Sequence, residues 1–142
     1  MKNITILIIA VLCCFKVSAQ TTGSYIYVYR TGQWGAALTN YAVFLDGKKI
    51  CKLSNAKYIK IPVSPGTHEL QAKKGGVDIL KKETSLTVEV EAGKDNYVSC
   101  SIKSSITRQR MEMTEVVKSN GEKAIADMKP DNCQDDVEEK EK

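Results

Sequence analysis

Apolar and polar residues alternate with a period of two along much of this chain, the spacing that a strand with one buried face requires. Leu86, Val88 and Val90 alternate with Thr87, Glu89 and Glu91. Val98, Cys100 and Ile102 alternate with Tyr97, Ser99, Ser101 and Lys103, and Ala92 to Asn96 turns between the two. Ser24 to Arg30 (SYIYVYR) is rich in β-branched and aromatic residues, which suit a pleated surface. Tyr41 to Leu45 and Lys49 to Leu53 flank Asp46-Gly47, a hairpin turn in which glycine takes a positive φ. Tyr58 to Val63 places Ile59, Ile61 and Val63 on one face, and Pro62, which cannot donate a ladder hydrogen bond, predicts an edge or a strand paired on its other side only. Ser64-Pro65-Gly66 is a tight turn, after which Thr67 to Lys73 runs out again with His68, Leu70 and Ala72 on one face. A further strand from about Arg108 to Val117 alternates more weakly.

The period changes at both ends of the chain. Residues 1–20, MKNITILIIAVLCCFKVSAQ, combine a basic start at Lys2, a short apolar run from Ile4 to Leu12, and Val17-Ser18-Ala19 before a cleavage point, so residues 1–19 read as a signal peptide and the mature chain is expected to begin at Gln20. The apolar run is shorter than the ~18 residues a spanning helix needs. The alternative is a lipoprotein thioether. Leu12 before Cys13 is too large for that processing, whereas Cys14, preceded by Cys13, keeps lipidation open, and only a lipidated form would stay at a membrane. At the other end, Ser119 and Glu122 have capping-box spacing, and Ala124, Ile125 and Met128 form an apolar stripe, so a short helix is expected at about 120–129, ended by Pro130. Residues 131–142 carry almost no apolar anchor and are expected to be a disordered charged tail.

The pattern predicts an all-β antiparallel sandwich of about seven to eight strands spanning residues 20–130, with one short C-terminal helix. Charge changes that picture little in sum but much in distribution. Residues 20–130 carry +6 and residues 131–142 carry −4. The lysines fall in scattered pairs at turns and strand ends, where they discourage edge-to-edge pairing. The chain has neither a basic helix nor a stacked aromatic array, so nucleic acid is not an expected partner.

At YVYR, FLDGKKI, the Leu53 to Tyr58 interval and IPVSPGTHELQA, the chain resembles the bacterial family called domain of unknown function 2846, over roughly Ser24 to Val117. The resemblance implies a small β-sandwich in an exported or lipoprotein-like envelope protein, with no established activity. Cys51 stands where the family is expected to favour a small residue such as glycine.

Candidate chemistry is sparse. Cys51, Cys100 and Cys133 remain after the leader. Cys51 and Cys100 both fall on inward-facing strand positions, which leaves two readings open, small apolar packing and a Cys51–Cys100 disulfide; Cys133 is expected to be exposed. With one histidine and no Cys-x-x-Cys, no metal site is expected. Nucleophilic catalysis would have to use His68, which follows a turn on a core-facing position and reads as structural. No carboxylate pair or phosphate loop is present, so neither an enzyme nor a cofactor is expected. The aromatic residues are the strongest remaining lead. Tyr25, Tyr27 and Tyr29 share one strand face and Trp34 follows in a glycine-containing loop, a platform suited to a sugar ring or a peptide; the competing reading is that the tyrosines cover the second face of a central strand and Trp34 plugs one end of the sandwich. The expected function is therefore a non-catalytic exported module of the bacterial envelope with a structural or protein-interaction role, and the alternative is a carbohydrate- or peptidoglycan-binding module.

Overall fold

The computed structural model describes residues 23–34, 39–74, 85–104 and 109–133; the expected signal peptide and Cys14 lie outside them. The strands are β1 (Ser24–Arg30), β2 (Tyr41–Leu45), β3 (Lys48–Leu53), β4 (Lys57–Val63), β5 (Gly66–Lys74), β6 (Ser85–Val90), β7 (Asp95–Ser104) and β8 (Gln109–Val116). A helix α1 (Lys118–Ile125) and a two-residue strand β9 (Lys129–Pro130) follow. They form an all-β sandwich of two sheets, ordered β8-β7-β1-β4-β9 and β3-β2-β5-β6.

Alternation decides which side chains enter the space between the sheets. Ile26 and Val28 of β1, Val43 of β2, Leu70 and Ala72 of β5, Val88 and Val90 of β6, and Val98 of β7 are all buried there. Each valine, leucine or isoleucine among them contributes about 1.5–3 kcal/mol relative to exposure. Met111 and Met113 of β8 complete one flank, so the weakly patterned last strand also faces the core.

β1 is central in its sheet, antiparallel to β4 and parallel to β7. Ser24 at its start accepts the N–H of Gly93 and donates to the Glu91 carbonyl, both at 2.9 Å, which fastens the β6–β7 turn to β1. Pro62 occupies the position its missing N–H requires. It pairs with Tyr25 on one side, while β9 reaches only Lys57 and Tyr58 on the other. Asp46 and Gly47 both have positive φ, 49° and 79°, as the two-residue hairpin turn between β2 and β3 demands.

The C-terminal region departs from expectation in two ways. The helix spans Lys118–Ile125 rather than 120–129, and no Ser119 capping box forms; the N–H groups of Asn120 and Gly121 both donate to the Val117 carbonyl, which makes Val117 the N-cap. Packing sets this register. Gly121 lies against Tyr97, where a Cβ would fall 2.3–2.4 Å from ring and Cβ atoms, and Glu122 turns to Lys118 and the Tyr97 hydroxyl instead of back to the N-cap. Residues 131–133, expected to begin a disordered tail, instead form a strap over β3 and β4. The Asp131 N–H donates to the Tyr58 carbonyl at 2.7 Å, its carboxylate accepts the Ser54 N–H at 2.7 Å and pairs with Lys57 at 3.8 Å, and Cys133 is disulfide-bonded to Cys51. The remainder of the tail lies outside the described residues.

Candidate functional site

Tyr25, Tyr27 and Tyr29 project from the outer face of β1, opposite Ile26 and Val28. Register then crowds them: Tyr27 faces Tyr97 on one side and Lys60 on the other, and Tyr29 faces Tyr58. The rings of Tyr27 and Tyr97 stack at 4.9 Å with 7° between planes, and Tyr58 lies 6.4 Å from Tyr27. The Lys60 ammonium sits 3.8 Å from the Tyr25 ring centroid and 5.4 Å from that of Tyr27. α1 covers Tyr97, whose hydroxyl is pushed up to about 12 by burial and by the nearby Glu122 carboxylate. Tyr29 is buried. Neighbouring rings and Lys60 thus take part of the surface of Tyr25 and Tyr27, which stay half-buried. Stacked pairs of this kind contribute about 0.5–1.5 kcal/mol beyond their buried area.

Trp34 is different. It is 100% exposed, so it touches neither the tyrosines nor the core and does not plug an end of the sandwich. The loop that carries it is nevertheless held. The Gln33 side chain accepts the Ile102 N–H at 3.0 Å, and the Gln33 N–H donates to the Asn55 side chain at 3.1 Å. Gly32, Gln33, Trp34 and Asn55 line a shallow recess of about 290 Å³. The structure therefore divides the expected aromatic platform into a packed tyrosine face and a separate exposed tryptophan.

His68 joins two turns. Its Nδ1 lies 2.7 Å from the Asp46 carboxylate and its Nε2 2.8 Å from the Ser64 carbonyl. Both partners accept, so the protonated ring can satisfy both contacts at once. The Asp46 hydrogen bond, with a smaller part from the Ser64 carbonyl, holds His68 above its ordinary value, and the same contact with the Glu69 N–H holds Asp46 below its own. Neither ring nitrogen is left to act as a base toward a nucleophile. Among the described residues no group of three or more His, Cys, Asp or Glu is placed to hold a metal ion, and no helix is long and apolar enough to cross a membrane.

Of the two readings left open for Cys51 and Cys100, the Cys51–Cys100 bridge is corrected to Cys51–Cys133, with Cα atoms 5.2 Å apart, and apolar packing holds for Cys100. The two expected partners sit in different sheets, Cys51 on β3 and Cys100 on β7 opposite Arg30, whereas the strap brings Cys133 to Cys51. Cys133 is half-buried rather than exposed, and Cys100 is a buried thiol pushed up to about 12 by that burial. The buried Arg30 side chain donates to the Thr39 carbonyl and lies 5.8 Å over the Tyr41 ring. Charge counting did not mark Arg30, because its place at the end of a strand resembles an exit to solvent.

A last feature lies at the flank where β3 and β4 form the seam between the sheets. The strap covers Ser54, Tyr58 and Cys51, but beyond it the seam stays open as a groove of about 550 Å³ lined by Leu45, Asp46, Lys48, Ile50, Lys60, Ile61 and Pro62. Ile50 faces this groove because of a bulge. Val43 and Phe44 pair with Cys51 and Lys49, leaving Ile50 as the extra residue that packs against the core edge.

No curated protein matches this chain. A family model does, and the matched stretch, residues 20–113, runs from before β1 into β8 and leaves out α1, β9 and Cys133. Two sheets built from those strands, with the Asp46-Gly47 and Pro65-Gly66 turns in place, agree with that match: the chain belongs to the family described as Protein of unknown function (DUF2846).

Proposed function

We propose that the protein is a non-catalytic, exported interaction module of the bacterial envelope that meets a protein partner through its Trp34 loop. The observation that carries this reading is a fully exposed tryptophan on a loop braced by the two Gln33 hydrogen bonds. Exposed tryptophan is a disfavoured surface residue in isolation and a frequent binding anchor, whose truncation costs about 2 kcal/mol or more of affinity. Bracing lowers the ordering cost that a loose loop would add on binding. Export is supported by the leader-like residues 1–19 and by the Cys51–Cys133 disulfide, since cytosolic thiols are kept reduced. The engagement of both His68 nitrogens supports a non-catalytic role.

The second reading, a carbohydrate- or peptidoglycan-binding module, is favoured by the same exposure of Trp34 beside the Asn55 amide. The packed tyrosines count against it, because they leave a single ring to stack.

One pair of measurements tests the choice. Cross-linking and recovery from the native host with wild-type protein and with Trp34→Ala should yield a partner that the variant loses. Titration with peptidoglycan fragments should leave the tryptophan emission unchanged. A glycan-dependent shift or quench would transfer the assignment to the second reading, and equal recovery by the variant would remove the Trp34 loop from either.

A further inference from the structure

The Trp34 loop and the Cys51–Cys133 disulfide are joined through the turn of residues 54–56, between β3 and β4. On the loop side, the Asn55 side chain accepts the Gln33 N–H at 3.1 Å and forms one wall of the recess beside Trp34. Gly32 packs on the same turn, where a Cβ would meet that of Ala56 at 3.5 Å. On the other side, the strap grips both feet of the turn with one carboxylate. Asp131 Oδ2 accepts the Ser54 N–H at 2.7 Å before the turn, and Oδ1 pairs with the Lys57 ammonium at 3.8 Å after it; the Asp131 side chain is 2% exposed. Oδ1 also accepts the Cys133 N–H at 3.3 Å, so the clamp and the bonded cysteine form one unit.

The turn has to be held. Ala56 has a positive φ of 56°, a left-handed conformation that a residue other than glycine keeps only where its surroundings impose it. The Asp131 clamp is such a surrounding, and the disulfide keeps the clamp in place. With the bond closed the strap cannot leave β3; with it open the strap depends on noncovalent contacts, those of Asp131 and β9 among them.

We propose that the Cys51–Cys133 disulfide regulates the Trp34 site, holding the loop in its binding form when oxidised and releasing it when reduced. The inference rests on the reading that Trp34 anchors a partner and adds how that anchor is switched. The reductant is a dithiol. Cys133 is half-buried and Cys51 fully buried, so a thiolate of the dithiol attacks the Cys133 sulfur and Cys51 leaves as a thiolate that takes a proton. The second thiol of the reagent then attacks the first, closing the reagent as its own disulfide and freeing Cys133 as a thiol. Two electrons and two protons pass from the dithiol to the chain. Release of the strap undoes the grip on Ser54 and Lys57, Ala56 relaxes out of the left-handed region, and the Asn55 acceptor leaves Gln33. A partner must then order the loop as it binds, which weakens binding.

Backbone amide order parameters of the mature, folded chain, measured before and after addition of dithiothreitol, test this. Residues 32–34 and 54–56 should lie at about 0.85 when oxidised and fall below about 0.6 when reduced, while β1 and β7 stay at about 0.85 in both. Asn55→Ala should free residues 32–34 in oxidised protein with 131–133 still ordered, and Asn55→Asp, which keeps the acceptor oxygen, should not. Recovery of the cross-linked partner from the native host should fall about tenfold for Cys133→Ser, the factor that ordering about one loop residue entails. Unchanged order in residues 32–34 after reduction would overturn the proposal. So would a loss shared by β1 and β7, which would make the bond a support of the whole fold. The order parameters need no partner, which separates the two readings. Loop order that ignores the redox state, beside Trp34-dependent recovery, rejects the switch alone; loop order that follows it, beside equal recovery by Trp34→Ala, rejects the Trp34 reading alone.

Discussion

The two ends of the β3–β4 flank are held by opposite kinds of chemistry. At the Leu53–Ser54 end the strap is held by the Cys51–Cys133 bond and by the Asp131 carboxylate. At the Asp46–Gly47 end, His68 joins two turns between the Asp46 carboxylate and the Ser64 carbonyl, beside the Asp46–Glu69 hydrogen bonds. A covalent bond constrains the unfolded chain and is indifferent to pH, whereas a charged hydrogen bond acts on the folded state and titrates. One end should therefore answer to reductant and the other to protons.

The largest test of that contrast is removal of the bridge. Cys51 and Cys133 are 82 residues apart, and closing a loop of that size is worth about 4 kcal/mol in the chain-entropy picture. Denaturant unfolding with and without reductant should show a loss of that order, and Cys133→Ser should show it without reductant. Reagent should label Cys100 only on unfolding in every case, because the thiol is buried. Gly121→Ala comes next. Its Cβ would overlap the Tyr97 ring that anchors α1, and overpacking of this kind costs about 1–3 kcal/mol in thermal or denaturant unfolding. Asp131→Ala should cost about 1–2 kcal/mol by leaving the Ser54 N–H without its acceptor, and its effect should grow once the disulfide is reduced and the strap has no other hold on β3.

The smallest effect belongs to the ionic end. His68 is held above 6.5, so its stabilising contribution is complete below about pH 6.5 and is lost as pH rises through the folded value. Asp46 is held below 3.8, so its contribution is present above that and is lost as pH falls through the folded value. Stability measured against pH should decline above about 6.5 by about 1 kcal/mol or less, and His68→Gln should flatten that alkaline limb. A decline of equal size in the variant would show that another group titrates there.

Much of the architecture was legible because it rests on local rules. Period-two alternation marks the strands, Asp46-Gly47 marks a hairpin turn, and Pro62 marks a strand paired on one side only along that stretch. What escaped was decided by contacts distant in sequence. The capping-box spacing at Ser119 was overridden by the fit of Gly121 against Tyr97. Cys133 sits among charges that predict disorder, and nothing nearby signals that Asp131 will find the backbone of Ser54. Three tyrosines on one face were visible, but not that Tyr97 and Lys60 would occupy their rings, since a parallel pairing of the first strand with the seventh has no local sign. The exposed Trp34 was the one candidate contact whose place in a loop could be read directly from its glycine-flanked setting.

The position of Cys133 also has a consequence in time. When a chain is delivered N-terminus first, Cys51 and Cys100 precede Cys133, and both lie on strands that form the interior. Cys133 meets Cys51 where the strap lies on β3 while Cys100 is enclosed on β7, so the native bond is a latch that fits the assembled molecule.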